Sequence, residues 1–275
     1  MTTDVSDGLK QAAGHPWFHH MSRVGLVARG LLYLLIGWLA LQVAFGGGGK
    51  EADRTGALET IADKPGGLLL IVLMAVGFAA LVLWQVAEAL LGRPVPDGDK
   101  ATKRLGSAGR AVIYVVAFVG TLAFLFGHHG SSSDKQSKTY TARLMDAPGG
   151  RWLVLAVAVG FVVVGTVMVV NAFRHKFMKE LKSWEMGATA RRVVKPLAMV
   201  GNTARGLVVA AVGAFLAYAA ISFQPDKAQG LDGTLREFTD TPAGPWGLVA
   251  VALGVITFGL YNFCEARYRK VDASN

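Results

Sequence analysis

Three arginines and two glutamates stand inside otherwise apolar stretches of this 275-residue chain. Arg29, Arg110 and Arg205 each follow a glycine by four residues, Gly25, Gly106 and Gly201. Glu88 and Glu265 occupy matching places further along, where the middle stretch carries Asn171. A guanidinium group makes paired, charge-assisted hydrogen bonds to carboxylate or phosphate. In hydrocarbon a charge is costly unless it pairs or reaches the interface. The set therefore has three readings. It forms ion pairs that fix helix register. It keeps one surplus positive charge, because Asn171 replaces a carboxylate, and that surplus takes a lipid phosphate or another anion. Or it relays a proton or an ion. The acids sit at one level only, so no continuous polar path across a membrane is visible.

Other residues that do chemistry elsewhere lack their partners here. His15 and His19 stand four apart, with His20 adjacent, but no further ligands lie nearby in the sequence. His128 and His129 precede GSSSDKQSK, which reads as a flexible, solvated loop. Cys264 is the single cysteine, forms no internal disulfide and reads as a packing residue. The GGGG run at 46–49 has no lysine-serine or lysine-threonine after it and is a loop rather than a phosphate cradle. No Ser/His/Asp set, HExxH or paired-cysteine motif appears. The expectation is no metal, no cofactor and no catalytic residue.

The elements that must position the charged set are long and apolar. Charged residues make up only 17% of the chain, well under a soluble domain's usual quarter. Apolar residues are gathered into six runs near 24–45, 67–91, 107–127, 151–173, 202–223 and 246–266. Each is close to the roughly 20 residues that cross a bilayer as a helix, and each is apolar all round rather than on one face. The expected fold is all-α, a polytopic membrane protein with six transmembrane helices. The first twenty residues are polar and lack the pattern of a signal peptide. One side of the membrane, with both termini and the 92–104 and 174–196 loops, carries most of the 28 Lys and Arg. The positive-inside rule makes that side cytoplasmic. The 174–196 loop is the most basic and reads as an interfacial helix on the anionic inner leaflet.

The six runs are a threefold repeat. The first helix of each pair opens with the Gly-x-x-x-Arg step. The second opens with Asp-x-Pro-small-Gly: Asp63 and Pro65, Asp146 and Pro148, Asp240 and Pro242. From Arg to Pro the gaps are 36, 38 and 37 residues. Twelve residues beyond each proline stands Gly77, Gly160 or Gly254, and eleven beyond that Glu88, Asn171 or Glu265. Glu88 lies about 31 Å along a helix from Gly67, at 1.5 Å per residue, so the carboxylates return to the level of the arginines. The six glycines read as close-packing positions between helices. The Asp and Pro residues read as helix starts at the outer surface, with one or two turns of interfacial helix before them. The chain thus divides into a cytoplasmic segment 1–20, repeats over 21–98, 99–185 and 186–270, and a tail 271–275. The repeats are parallel helical hairpins, arranged either as a pseudo-threefold bundle or as a linear stack.

The GLVARG, GSAGRA and GNTARG motifs, with DKPGG, DAPGG and DTPAG, resemble the bacterial domain of unknown function 1206 family over about residues 20–270. The resemblance implies three tandem two-helix membrane units in a bacterial inner membrane. It implies no activity and no catalytic residue. The expectation is a non-enzymatic scaffold, receptor or accessory subunit with its arginine cluster at the cytoplasmic face. Its expected partners are membrane lipids, anionic lipid at that face, and a protein at the outer loops or at 174–196; nucleic acid is not expected. The alternatives are a channel or transporter with a pore on the threefold axis and, least supported, an intramembrane enzyme acting on lipids. For a pore the span interiors offer Gln42, Gln85, Thr121, Thr166, Asn171, Ser222, Thr257 and Asn262, with no threefold ring among them.

Overall fold

The computed structural model describes residues 16–46, 50–92, 100–127, 133–237 and 244–270. His15, His128, His129, Asp240, Pro242 and the tail 271–275 lie outside the described residues. Six long helices carry the apolar runs: α1 (Pro16–Ala44), α3 (Gly67–Leu91), α4 (Ala101–Leu125), α6 (Gly150–Phe173), α7 (Ala188–Ser222) and α9 (Gly244–Tyr268). All six are long and apolar enough to span a membrane, and a helix satisfies its own backbone where no water can. One short α-helix stands between the members of each pair: α2 (Arg54–Ala62), α5 (Ser133–Met145) and α8 (Leu231–Glu237). The protein is an all-α, multi-pass membrane protein built of three hairpin repeats.

The long helices follow one another in chain order around an arc. Helix α1 packs on α3, α3 on α4, α6 on α7, α7 on α9, and α9 closes back onto α1. The missing step is α4 to α6, which are not a packed pair. Of the two arrangements left open by the sequence, this is a ring with one gap. The core lies along α1, which packs on α3 and on α9, with Leu26, Leu39, Phe78, Leu81, Leu248 and Val255 buried together. Helices α4 and α6 flank the gap and bury the least of their apolar length.

Glycines set the close crossings, and they expose the gap. A Cβ on Gly25 would lie 2.7 Å from the Gly77 carbonyl, and one on Gly254 would lie 2.3 Å from the Ala204 Cβ. Gly201 presses on Phe258 in the same way. These are the crossings inside repeats 1 and 3. In repeat 2 the corresponding Gly106 and Gly160 meet nothing within 4 Å. Their expected packing role is not realised, because α4 and α6 diverge. Two of the crossings between repeats, α9 on α1 and α6 on α7, depend on glycines outside the motif set. Gly30 on α1 meets Gly259 on α9, and Gly206 on α7 meets Gly165 on α6.

The Asp-x-Pro-Gly segments differ from the expected helix starts. Asp63 is the C-cap of α2, not an N-cap: its backbone N–H donates to Glu59 and Ile61 carbonyls. Gly66 then takes a left-handed conformation (φ 77°) and α3 begins at Gly67. Asp146 likewise follows α5, and Gly149 (φ 75°) precedes α6. Pro65 and Pro148 therefore occupy the turn between two helices. The turn needs a positive φ, which glycine supplies without a Cβ penalty. Gly67 and Gly150 also sit against the carbonyls of Ile61 and Leu144, at 1.9 and 1.5 Å from an added Cβ.

Two loop expectations are also corrected. From Ser133 the supposed flexible stretch is helical, because Asp134 makes tertiary hydrogen bonds. Its Oδ1 accepts from the Gly230 and Gly233 N–H groups at 2.8 and 2.9 Å, capping α8. Asp232 of α8 in turn accepts from the Ala52 N–H at 2.7 Å, beside α2. The basic segment does not form one interfacial helix. It runs as a short 3-10 turn (Lys176–Glu180) and then joins α7 from Ala188, with Pro196 inside that helix. Leu181 is fully buried and makes an antiparallel bridge with Arg269.

Candidate functional site: a charged layer at one end of the bundle

The end of the bundle opposite the short helices gathers the repeated charges. Arg29 is buried between α9 and α4 and uses its whole guanidinium edge. Its Nε donates to Asn262 Oδ1 at 2.5 Å, its Nη1 to the Tyr114 hydroxyl at 2.5 Å, and its Nη2 to Glu265 Oε2 at 2.7 Å. The Asn262 amide nitrogen is held by the Phe258 carbonyl, which fixes the orientation of its oxygen. On the neighbouring pair of helices, Arg110 lies 3.7 Å from Glu88 Oε2. Ser107 bridges them, donating to Glu88 and accepting from Arg110, each at 3.0 Å.

Arg269 ties the two halves together. It lies one residue beyond α9, bonds Glu265 Oε1, and approaches Glu180 at 3.4 Å and Glu88 at 3.8 Å. Its guanidinium covers the Trp84 ring at 4.3 Å, a favourable cation–π placement. Burial works against its charge, and Glu265, Glu180 and Glu88 outweigh that and hold its pKa above the usual value. Sequence reasoning misses Arg269 and Glu180, because neither belongs to the repeat. Their cluster of Arg29, Arg110 and Arg269 with Glu88, Glu180 and Glu265 balances three charges of each sign.

The repeat explains the pairing. Each arginine belongs to an odd-numbered span and faces the carboxylate of the span that packs before it: Arg110 on α4 faces Glu88 on α3, and Arg29 on α1 faces Glu265 on α9. The third interface, α6 on α7, should join Asn171 to Arg205. Asn171 is half-buried and has no side-chain hydrogen bond among the described residues. Asn262, too, has a repeat counterpart at each interface, Gln85 on α3 and Met168 on α6. The carboxylate and the amide three residues before it are thus both replaced at the third interface. Gln85 is buried, and its Oε1 has no partner among the described residues.

Arg205 turns instead toward aromatic rings. Its guanidinium lies 5.0 Å from the Phe258 ring centroid and 5.7 Å from that of Tyr33. Phe258 also lies 5.5 Å from Arg29, and the two rings meet edge to face at 4.8 Å. One ring is therefore shared by two cations, of which only Arg29 has a carboxylate at hand. What the arrangement can do is lock helices together and offer one half-buried guanidinium to an anion.

Comparison with known proteins bears on the repeat. The profile of the family described as Domain of Unknown Function (DUF1206) matches three times, over residues 24–92, 105–175 and 200–269. An uncharacterised protein of Bacillus subtilis (strain 168), YxxB, is 31% identical over 256 residues, 92% of each chain. No solved structure matches.

Proposed function

Since the chain belongs to the DUF1206 family, described as a domain of unknown function, we propose its role from the charged layer alone: it is a non-enzymatic membrane scaffold that holds the phosphate of an anionic lipid on Arg205. The basic loops support a cytoplasmic position for this layer in a bacterial plasma membrane, with both termini on that side. The observation that carries the reading is the broken third pair. Arg29 and Arg110 have carboxylates from the neighbouring repeat, whereas Arg205 has Asn171 and Met168 at the matching places. A guanidinium at the hydrocarbon boundary is stabilised by an anion, and phosphate fits its planar fork. Anionic headgroups are concentrated at the inner leaflet.

Restoring the internal carboxylate tests this. Asn171→Glu gives Arg205 the partner the other repeats have, so anionic lipid copurifying with the protein should fall about tenfold, the ~1.4 kcal/mol scale of one lost charged contact. Arg205→Gln should produce the same loss. Mass spectrometry of lipid retained by each variant after detergent extraction reads the outcome. Retention unchanged in both variants would sink the proposal.

A further inference from the structure

A second cation with few polar partners lies at the other end of the bundle. Arg54 opens α2, and its guanidinium reaches across to the middle of α4, where Nη1 donates to the Val116 carbonyl at 2.8 Å. That is its one hydrogen bond among the described residues, out of five available donors. Gly120 makes the room: a Cβ there would lie 2.3 Å from Arg54 Nη2. The adjacent Asp53, whose Oδ1 accepts from the Gly56 N–H as the N-cap of α2, offsets the charge only in part. Burial draws the Arg54 pKa below the usual guanidinium value. The hairpin architecture does not require this arginine, since the positions nine residues before Asp146 and Asp240 are Ser137 and Leu231.

Beside Arg54 lies a cavity of about 420 Å³, walled by Leu58, Val115, Val119, Phe124 and Gln136. That is within the size range of ligand pockets. One side of α4 here is uncovered, with Val116 58% and Val119 56% exposed, so the cavity opens sideways from the bundle. A cation at one end of an apolar, laterally open slot is the complement of an amphiphile with an acidic head. We propose that this cavity binds an anionic amphiphile, its carboxylate or phosphate on Arg54 and its chain along Val115, Val119 and Phe124. The site is independent of Arg205 and lies at the opposite end of the bundle.

The test uses the full chain in detergent with photoactivatable oleate, phosphatidylglycerol and phosphatidylcholine, and maps the adducts. Oleate or phosphatidylglycerol should label residues 115–124 at least tenfold more than phosphatidylcholine. A preference for oleate identifies a free acid, and a preference for phosphatidylglycerol identifies a phospholipid. Arg54→Gln should abolish this labelling. So should Val119→Trp, which fills the slot and leaves the arginine in place. Arg205→Gln should leave it unchanged. Equal labelling by phosphatidylcholine, or labelling that survives both Arg54→Gln and Val119→Trp, would overturn the proposal.

Discussion

At the scale of single residues, burial decides which charges matter. Lys50 and Asp63 form an ion pair at the short-helix end, yet the carboxylate is 67% exposed, and such pairs contribute little. Arg29 and Glu265 are 10% and 5% exposed. Removing one partner of a buried pair strands the other at a cost of about 3–5 kcal/mol, while replacing both is far milder. Glu265→Gln takes a carboxylate from both Arg29 and Arg269, whereas Arg29→Gln leaves Glu265 paired with Arg269, so the glutamate substitution should lower the detergent melting temperature more. A smaller loss for Glu265→Gln than for Arg29→Gln would contradict the pairing. Threefold recurrence marks Arg29, Glu88 and Glu265 in the sequence. It does not say that Arg29 bonds the last helix rather than its own hairpin partner, because spacing gives depth and not azimuth. The roles of Asn262, Tyr114 and Arg269 follow from that azimuth. In the sequence Asn262 is no more than a polar residue in a span, and Tyr114 no more than a neighbour on the arginine face.

At the scale of the helix, small residues replace the hydrophobic drive that lipid removes. The consequences are position-specific. Gly25→Leu should destabilise the bundle, by about 1–3 kcal/mol or more for overpacking, because Leu81 Cγ lies 2.4 Å from the added Cβ. Gly160→Leu should be tolerated or mildly stabilising, since Gly160 meets nothing and glycine within a helix costs about 0.5–1 kcal/mol. Thermal melting of the two variants separates them, and an equal loss would show that α4 and α6 pack after all. Span number and approximate span ends are legible in the sequence because soluble proteins rarely contain apolar runs of bilayer length. The turns are not, for a definite reason. Asp followed by Pro matches both a helix start and a helix stop, and only the left-handed Gly66 and Gly149 show which applies.

At the scale of the whole molecule, the threefold order is broken twice in the same repeat. Repeat 2 lacks the carboxylate at Asn171, and its two helices stand apart. Three equivalent positions probe this directly: Ala28 with Gly77, Ala204 with Gly254, and Gly109 with Gly160. The first two pairs are in contact and the third is open. Cysteines introduced at Ala28 and Gly77 should crosslink readily in the membrane, and those at Gly109 and Gly160 should not. Efficient crosslinking of the last pair would mean that the ring closes. The ring order also bears on biogenesis. Arg29 belongs to the first of these six spans to leave the ribosome, and its carboxylate lies 236 residues later, in the sixth. Until that final segment inserts, the opening helix carries an unneutralised guanidinium into the lipid. The half-made protein is thus held together by less than any later stage, and a chain cut short before α9 should be cleared by membrane proteases rather than persist as a smaller bundle.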